Sequence, residues 1–96
     1  SELAAKAPRY AGTYRNCWAE GVFYQQAAQS RDFGLSPQQA FLNLRSFDAV
    51  SPEDQKKFIN QVYFDPRFSD ARGEIFGRQM TNICLYGDGA QFEPLK

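Results

Sequence analysis

Histidine is absent from the sequence, and its absence excludes several kinds of active site. A Ser-His-Asp or Cys-His arrangement needs an imidazole to take the proton of the nucleophile. Zinc and haem sites of familiar spacing are also excluded, because the chain has neither histidine ligands nor a C-x-x-C pair. We therefore expect no metal, no cofactor and no catalytic residues, and we predict that the protein is not an enzyme.

An excess of charge of one sign and a long apolar run are absent as well. The 96 residues include 11 Lys and Arg against 11 Asp and Glu, so the formal net charge is zero. Nucleic-acid binding needs clustered cations, and we expect no nucleic-acid partner. No apolar run approaches the roughly 20 residues of a membrane-spanning helix, so we expect no integral membrane segment. The first residues lack the apolar core of a signal peptide; if the protein is exported, we expect its leader to be already removed.

Serine and carboxylate side chains give no better evidence for catalysis. The serines lie at predicted helix ends or turns, where a capping role explains them better than a nucleophilic one. The carboxylates are scattered, and Asp54 and Asp70 lie in predicted first turns, where the helix dipole favours an anion. We interpret both sets as structural.

Cysteine is scarce, with Cys17 and Cys84 far apart in the sequence. Two interpretations are open: two buried thiols in a cytosolic protein, or one disulfide in an oxidising compartment. Both cysteines lie on the apolar faces of their predicted helices, which favours the disulfide. Closing so long a loop would stabilise a small domain by about 4 kcal/mol in the chain-entropy model.

Apolar periodicity and capping residues predict four helices. Their expected bounds are about 9–32, 37–47, 52–64 and 70–86, with a flexible N-terminus and a C-terminal tail. Gly34 ends the first helix in the left-handed conformation, and Ser36 and Ser51 cap the second and third helices. Short connections between four helices predict one all-α domain over residues 1–96, an up-and-down, bundle-like fold with one disulfide.

Two glycines inside the predicted fourth helix require a packing explanation, since each costs about 1 kcal/mol of helix stability against alanine. In an up-and-down bundle the first and fourth helices are antiparallel neighbours. Joining the two cysteines then places Tyr24 near Gly77 and Ala28 near Gly73. We expect close approach of the two helices at these pairs.

Two phenylalanines, Phe23 and Phe64, fall off the main apolar stripes of their helices. They are candidates to line a ligand pocket between helices or an exposed protein-binding patch. The alternative is that the tail, through Phe92 and Leu95, covers one of them.

Two turns combine an arginine, an aspartate and an aromatic ring, at residues 31–34 (R-D-F-G) and 65–68 (D-P-R-F). Such loops are common places for partner recognition, and local ion pairing at a helix end explains them as well. Local ion pairing is the favoured explanation for each turn alone. We retain Arg31 and Arg67, with Phe23 and Phe64, as candidate partner-binding residues.

Four segments carry a resemblance to known proteins: C-W-A at 17–19, A-A-Q-S-R-D-F-G-L-S-P-Q-Q-A at 27–40, I-N-Q-V-Y-F-D-P at 59–66 and N-I-C at 82–84. Through these the chain resembles small uncharacterised exported proteins of Gram-negative bacteria. The resemblance implies a disulfide-linked helical protein that is periplasmic or secreted, and it implies no activity. In layout the chain is also similar to HdeA-type acid chaperones and to Tai-type immunity proteins.

Taken together, these observations predict a non-catalytic exported domain that binds another protein. One alternative is a periplasmic acid-stress holdase, which opens when its carboxylates are protonated. Another is an immunity or inhibitor protein that binds a secreted effector enzyme. The oligomeric state is open.

Overall fold

The computed structural model describes residues 14–86, which form four α-helices and one turn of 3-10 helix. We number the helices α1 (Tyr14–Asp32), α2 (Pro37–Leu44), α3 (Pro52–Phe64) and α4 (Gly73–Tyr86), with the 3-10 turn at Pro66–Phe68. No strand occurs between residues 14 and 86. The predicted all-α, four-helix fold is confirmed. The predicted helix start at residue 9 and the tail with Phe92 and Leu95 lie outside the described residues.

The second helix ends at Leu44, three residues earlier than the predicted bound of 47. Two successive turns follow it, because the amide of Phe47 donates to the carbonyl of Leu44 (3.0 Å) and the amide of Val50 to that of Phe47 (3.2 Å). The buried side chain of Gln55 holds these turns by donating to the carbonyls of Phe47 (3.1 Å) and Val50 (3.0 Å). Phe47 therefore reaches the core from a turn rather than from a helix.

The fourth helix begins at Gly73 and not near residue 70 as the spacing predicts. Gly73 has a φ of 76°, a left-handed conformation that interrupts the helical path before this point. The preceding residues instead continue the 3-10 turn, whose first amides are capped by the Asp65 side chain (2.9 Å to the Arg67 amide). Gly73 therefore allows the change of backbone direction before α4 and is not the predicted site of close packing with Ala28: a Cβ placed on it would have no neighbour within 4 Å.

Helix α1 is central and packs against the other three helices. Its buried residues face two directions. On one side the Tyr24 ring stacks on Phe58 (centroids 4.4 Å apart) and meets the edge of Phe76 (5.8 Å). On the other side the Phe23 ring contacts Phe47 (5.7 Å). The Tyr24 hydroxyl donates to Oε1 of Gln61 on α3.

The predicted disulfide between Cys17 and Cys84 is present, with the two Cα atoms 5.3 Å apart. It joins the first turns of α1 to the last turns of α4 and is fully buried beside Leu85. The antiparallel pairing of the first and last helices is therefore correct. None of the helices within residues 14–86 is long and apolar enough to cross a membrane.

The glycine pairing differs from the prediction. Gly77 faces Gly21 and Gln25 of α1, not Tyr24: a Cβ on Gly77 would lie 2.7 Å from Oε1 of Gln25 and 3.3 Å from the Gly21 carbonyl oxygen. A Cβ on Gly21 would overlap both the Gly77 carbonyl oxygen and Oγ1 of Thr81. The close approach of α1 and α4 is real, but it is centred on Gly21 and Gly77.

Candidate protein-binding surface

The last turn of α1 is tied to the rest of the fold by one guanidinium group. Nη1 of Arg31 donates to the carbonyl oxygens of Val62 (3.0 Å) and Phe68 (2.7 Å), and Nη2 donates to that of Ala71 (2.9 Å). These carbonyls belong to the end of α3, to the 3-10 turn and to the segment before α4. The Arg31 side chain is 15% exposed, and its N–H groups donate to groups of the protein itself. Arg31, one of the four candidate partner-binding residues, therefore positions this end of the molecule, with its guanidinium donors directed at backbone carbonyls instead of at solvent.

The carboxylate of Asp32 connects Arg31 to a second arginine, Arg72. Its Oδ1 accepts from Nε of Arg31 (3.1 Å) and its Oδ2 from Nε of Arg72 (2.9 Å). Partial burial acts to raise the pKa of Asp32, but the hydrogen bonds and charges of Arg31 and Arg72 outweigh it and lower the pKa below its ordinary value. The carboxylate therefore bridges two cations and fixes Arg72 beside the end of α1.

The turn after α1 has the geometry of a Schellman motif. Gly34 has a φ of 86°, and the amide of Leu35 donates to the carbonyl of Ser30 (3.0 Å). The hydroxyl of Tyr63 donates to the Leu35 carbonyl (2.7 Å), which ties the turn to the last turn of α3. This confirms the predicted role of Gly34, and it brings the ends of α1 and α3 to the same end of the molecule.

Two phenylalanine rings project into solvent at this end. Phe33, directly after α1, is 74% exposed, and Phe64, the last residue of α3, is 69% exposed. Phe64 was predicted as a candidate and Phe33 was not. The signal for Phe33 was its position between the last core residue of α1 and the left-handed Gly34, where the chain has already turned away from the core.

Arg67 lies exposed in the 3-10 turn that follows α3. Its Nη2 pairs with Oδ2 of Asp65 (2.8 Å), and its guanidinium carbon lies 5.6 Å from the centroid of the Phe68 ring. The side-chain and backbone hydrogen bonds from Arg67 lower the pKa of Asp65. Arg67 therefore presents a cation whose position is set by the turn. We use the name aromatic end for the end of the molecule that carries the exposed residues Phe33, Phe64, Arg67 and Arg72.

Phe23 does not belong to this surface. Its side chain is completely buried, and its ring contacts Phe47 and Phe58 at 5.7 and 6.1 Å between centroids. Of the roles considered for Phe23, that of a residue in an exposed protein-binding patch is therefore wrong, because the off-stripe position faces the core contributed by Phe47 and Phe58. Whether the tail approaches Phe23 or Phe64 concerns residues outside the described range.

The aromatic end offers ring surface beside guanidinium groups. The rings provide apolar area to bury, and the two exposed arginines provide donors for a carboxylate or a carbonyl. Within residues 14–86, no group of three or more histidine, cysteine, aspartate or glutamate side chains is arranged to hold a metal ion.

Comparison of the chain with models of protein families, with curated proteins and with solved structures finds no match. The resemblance to small exported proteins of Gram-negative bacteria therefore stays a prediction. The geometry of the aromatic end is therefore the basis for proposing a function.

Proposed function

We propose that the protein is a non-catalytic domain that binds another protein through the aromatic end. The observation that carries the proposal is the exposure of Phe33 and Phe64 at one end of a fixed scaffold. Fully burying a phenylalanine side chain contributes about 1.5–3 kcal/mol, so two such rings are a substantial source of binding free energy. Interfaces also concentrate their binding energy in aromatic and arginine side chains, which are the residue types present here.

The backbone that carries the two rings is held in place before any partner arrives. Arg31 fixes the ends of α1 and α3 through its three carbonyl acceptors, and the Schellman turn fixes Phe33. A surface of this kind loses little conformational entropy on binding, and that favours affinity. The two exposed cations are held in place as well, since Arg67 pairs with Asp65 and Arg72 pairs with Asp32.

The chemistry of the aromatic end also indicates the complementary partner surface. Arg31, Asp32 and Arg72 together carry one net positive charge, while Asp65 and Arg67 cancel. We expect the partner to offer an apolar pocket for the rings with a carboxylate at its rim. If that partner is a secreted effector enzyme, the protein is its immunity protein.

The location that best fits this function is outside the cytoplasm. Disulfides persist in oxidising compartments and are rare where thiols are kept reduced. The buried bond between Cys17 and Cys84 supports a periplasmic or secreted protein.

The test begins with capture of a partner from a periplasmic extract, followed by calorimetric titration of the purified partner. Phe33→Ala and Phe64→Ala should each weaken binding by about tenfold or more, as expected for rings at the centre of an interface. The circular dichroism spectrum should be unchanged. Leu42→Ala is the matched control, since Leu42 is 63% exposed on α2, which contributes no residue to the aromatic end. Binding that is lost in the control and kept in the two phenylalanine variants would refute the proposed surface.

A second candidate, an acid-stress holdase, is favoured by the position of Asp32 beside Arg31. Asp32 pairs with both Arg31 and Arg72. Protonating its carboxylate removes these two ion pairs, and the contact between the end of α1 and Arg72 becomes weaker in acid. Aggregation of a client protein at about pH 2–3, below ordinary carboxylate pKa values, distinguishes the candidates. Suppression of aggregation there, without partner capture at neutral pH, would favour the holdase.

A further inference from the structure

A second surface, separate from the aromatic end, is a groove between α1 and α4. Its volume is about 390 Å³, within the range of small-ligand pockets. Trp18 and Val22 line it on α1 toward the disulfide, and Gln25 and Gln26 continue the same wall toward the start of α4. The groove is therefore apolar at one end and polar at the other.

The floor of the groove is closed by the contact between the two helices. Gly77 lies against Gly21, and the buried hydroxyl of Thr81 donates to the Gly77 carbonyl (3.0 Å). The polar atoms of Thr81 and Gly77 on the floor thus bond to each other. A ligand must be recognised by side chains of the walls.

Trp18 is the distinctive residue of the apolar end. It follows Cys17, which is fully buried in the disulfide, so the backbone that carries the indole is anchored. The side chain is nevertheless 54% exposed and faces the groove beside Val22. An anchored ring that is half in solvent forms a flat platform for a ligand.

The polar end offers amides and a balanced pair of charges. Gln25 and Gln26 each carry two amide donors and one carbonyl acceptor. Across the groove, Nη2 of Arg78 lies 3.7 Å from Oε2 of Glu74, and both side chains are largely exposed. The charges compensate each other, so the groove favours a ligand that is neutral and rich in hydroxyl or amide groups.

We propose that this groove binds a short neutral oligosaccharide. One pyranose ring places its C–H face on the indole of Trp18, since the electron-rich ring face attracts these weakly positive hydrogens. Its hydroxyl groups hydrogen-bond with the amides of Gln25 and Gln26 and with the exposed charges of Glu74 and Arg78. This site is independent of the proposed protein-binding surface.

Other ligand classes fit the groove less well. An extended peptide docks on an open strand edge or, as a polyproline helix, in a groove lined by several aromatic rings; both walls of this groove are helices, and Trp18 is the one aromatic ring among its described lining residues. A docking helix needs a continuous apolar stripe, whereas the large apolar side chains among the described lining residues are Trp18 and Val22. An anion finds no net positive charge, because Glu74 compensates Arg78. A nucleobase gains most from stacking on both faces, and the same described residues offer one aromatic wall.

The sequence contains a single tryptophan, so fluorescence excited at the red edge of the indole band, where tyrosine does not absorb, reports on Trp18 alone. Tri-N-acetylchitotriose, cellotriose and maltotriose are titrated separately to millimolar concentrations into the disulfide-bonded protein. For at least one of them, we expect a saturable change in emission. Amide chemical shifts should move along the groove walls and not at Phe33 or Phe64. Trp18→Ala should weaken that binding by about tenfold, followed by chemical shift, with Trp18→Phe intermediate.

Phe33→Ala is the matched control, because it removes an exposed aromatic ring elsewhere and should leave saccharide affinity unchanged. Three results would overturn the proposal: no saturable shifts with any of the three saccharides, undiminished affinity in a folded Trp18→Ala variant, or saturable binding of adenosine without binding of a saccharide. Because Phe33→Ala also tests the aromatic end, failure of one site is distinguished from failure of the other.

Discussion

At the scale of single residues, Arg31 shows how one side chain can replace several weaker contacts. A planar guanidinium fork reaches three carbonyl oxygens that come from three different segments. Without Arg31, the carbonyls of Val62 and Ala71 would depend on water, whereas that of Phe68 also accepts from the Ala71 amide (3.0 Å). The fork geometry therefore makes arginine specific at this position.

Replacing Arg31 by lysine should lower the free energy of unfolding by about 1–3 kcal/mol, because an ammonium group cannot reach the same three acceptors. Urea denaturation measures the change. Arg67→Lys serves as the control, since its ion pair is largely exposed and should change stability by less than about 1 kcal/mol. Equal losses in the two variants would show that the carbonyl bonds of Arg31 are not important for stability.

Gly21 and Gly77 face each other but should tolerate a methyl group very differently. Gly21→Ala should destabilise the protein by about 1–3 kcal/mol, because the new Cβ overlaps a backbone carbonyl that cannot move away. Gly77→Ala should be close to neutral, since its nearest neighbour is the end of the flexible Gln25 side chain and alanine improves helix propensity. Thermal and urea unfolding of both variants test the order. Greater damage from Gly77→Ala would contradict the described contact.

The sequence predicted that Gly77 faces α1 but gave the wrong partner. The disulfide predicted nearly correctly which residues of the two helices lie at the same height along the helix axes. It did not predict how α1 is rotated about its own axis. Successive residues of an α-helix point about 100° apart, so a small error in rotation replaces one residue by its neighbour. Tyr24 therefore turns to Phe58 and Phe76, and Gln25 takes the place opposite Gly77.

At the scale of the helices, the starts of α2 and α3 and the ends of α1 and α3 lie at the expected residues, whereas the end of α2 and the start of α4 do not. The starts of α2 and α3 match because Ser36 and Ser51 accept hydrogen bonds from amides three residues ahead (3.1 and 3.2 Å), which is local chemistry. The end of α2 depends on Gln55, a polar residue in the first turns of α3. It is buried, because it binds two carbonyls of the preceding turns.

The connection between the end of α1 and the start of α4 should depend on pH. The pKa of Asp32 in the folded protein is lowered from 3.8. The ion pairs of Asp32 therefore contribute fully to the free energy of unfolding above pH 3.8, and this contribution is lost as the pH falls through the folded pKa. Asp32→Asn should therefore reduce stability at neutral pH by less than about 1 kcal/mol, as expected for a partly exposed pair. The difference from the parent protein should vanish in acid.

A double-mutant cycle with Arg72→Gln provides the control for this prediction. Asp32→Asn should cost less when Arg72 is already replaced, since one of its two arginine partners is then missing. Urea denaturation at neutral and acid pH measures both effects. Additive losses would show that the Asp32–Arg72 pair contributes nothing.

At the scale of the whole molecule, the disulfide closes a long loop of the chain. It joins residues 67 positions apart. Reduction should lower the free energy of unfolding by about 4 kcal/mol in the chain-entropy model. Guanidinium unfolding with and without reductant measures the loss, and the double variant Cys17→Ala, Cys84→Ala separates it from effects of the reductant. A change below about 1 kcal/mol would show that the unfolded chain is already compact.

The fold class and the disulfide were predictable from the sequence because each rests on local signals that agree with one another. The binding surface was predictable in part. Phe64 and Phe23 look alike in the sequence, since both lie off the main stripe. Phe23 is covered by Phe47 from a turn that periodicity had assigned to a helix, and Phe64 is exposed. Exposure is decided by tertiary packing, which a helical pattern does not contain.

The position of the disulfide also determines how the protein responds to a protease. The bond closes a covalent ring that contains α2, α3 and the turns between them. Exposed Arg45, just after α2, is a natural cleavage point for trypsin-like enzymes. A single cut there opens the ring but leaves both fragments linked through Cys17 and Cys84. The aromatic end and the groove would then stay on one molecule, and their separation would require a reductant as well as a cut.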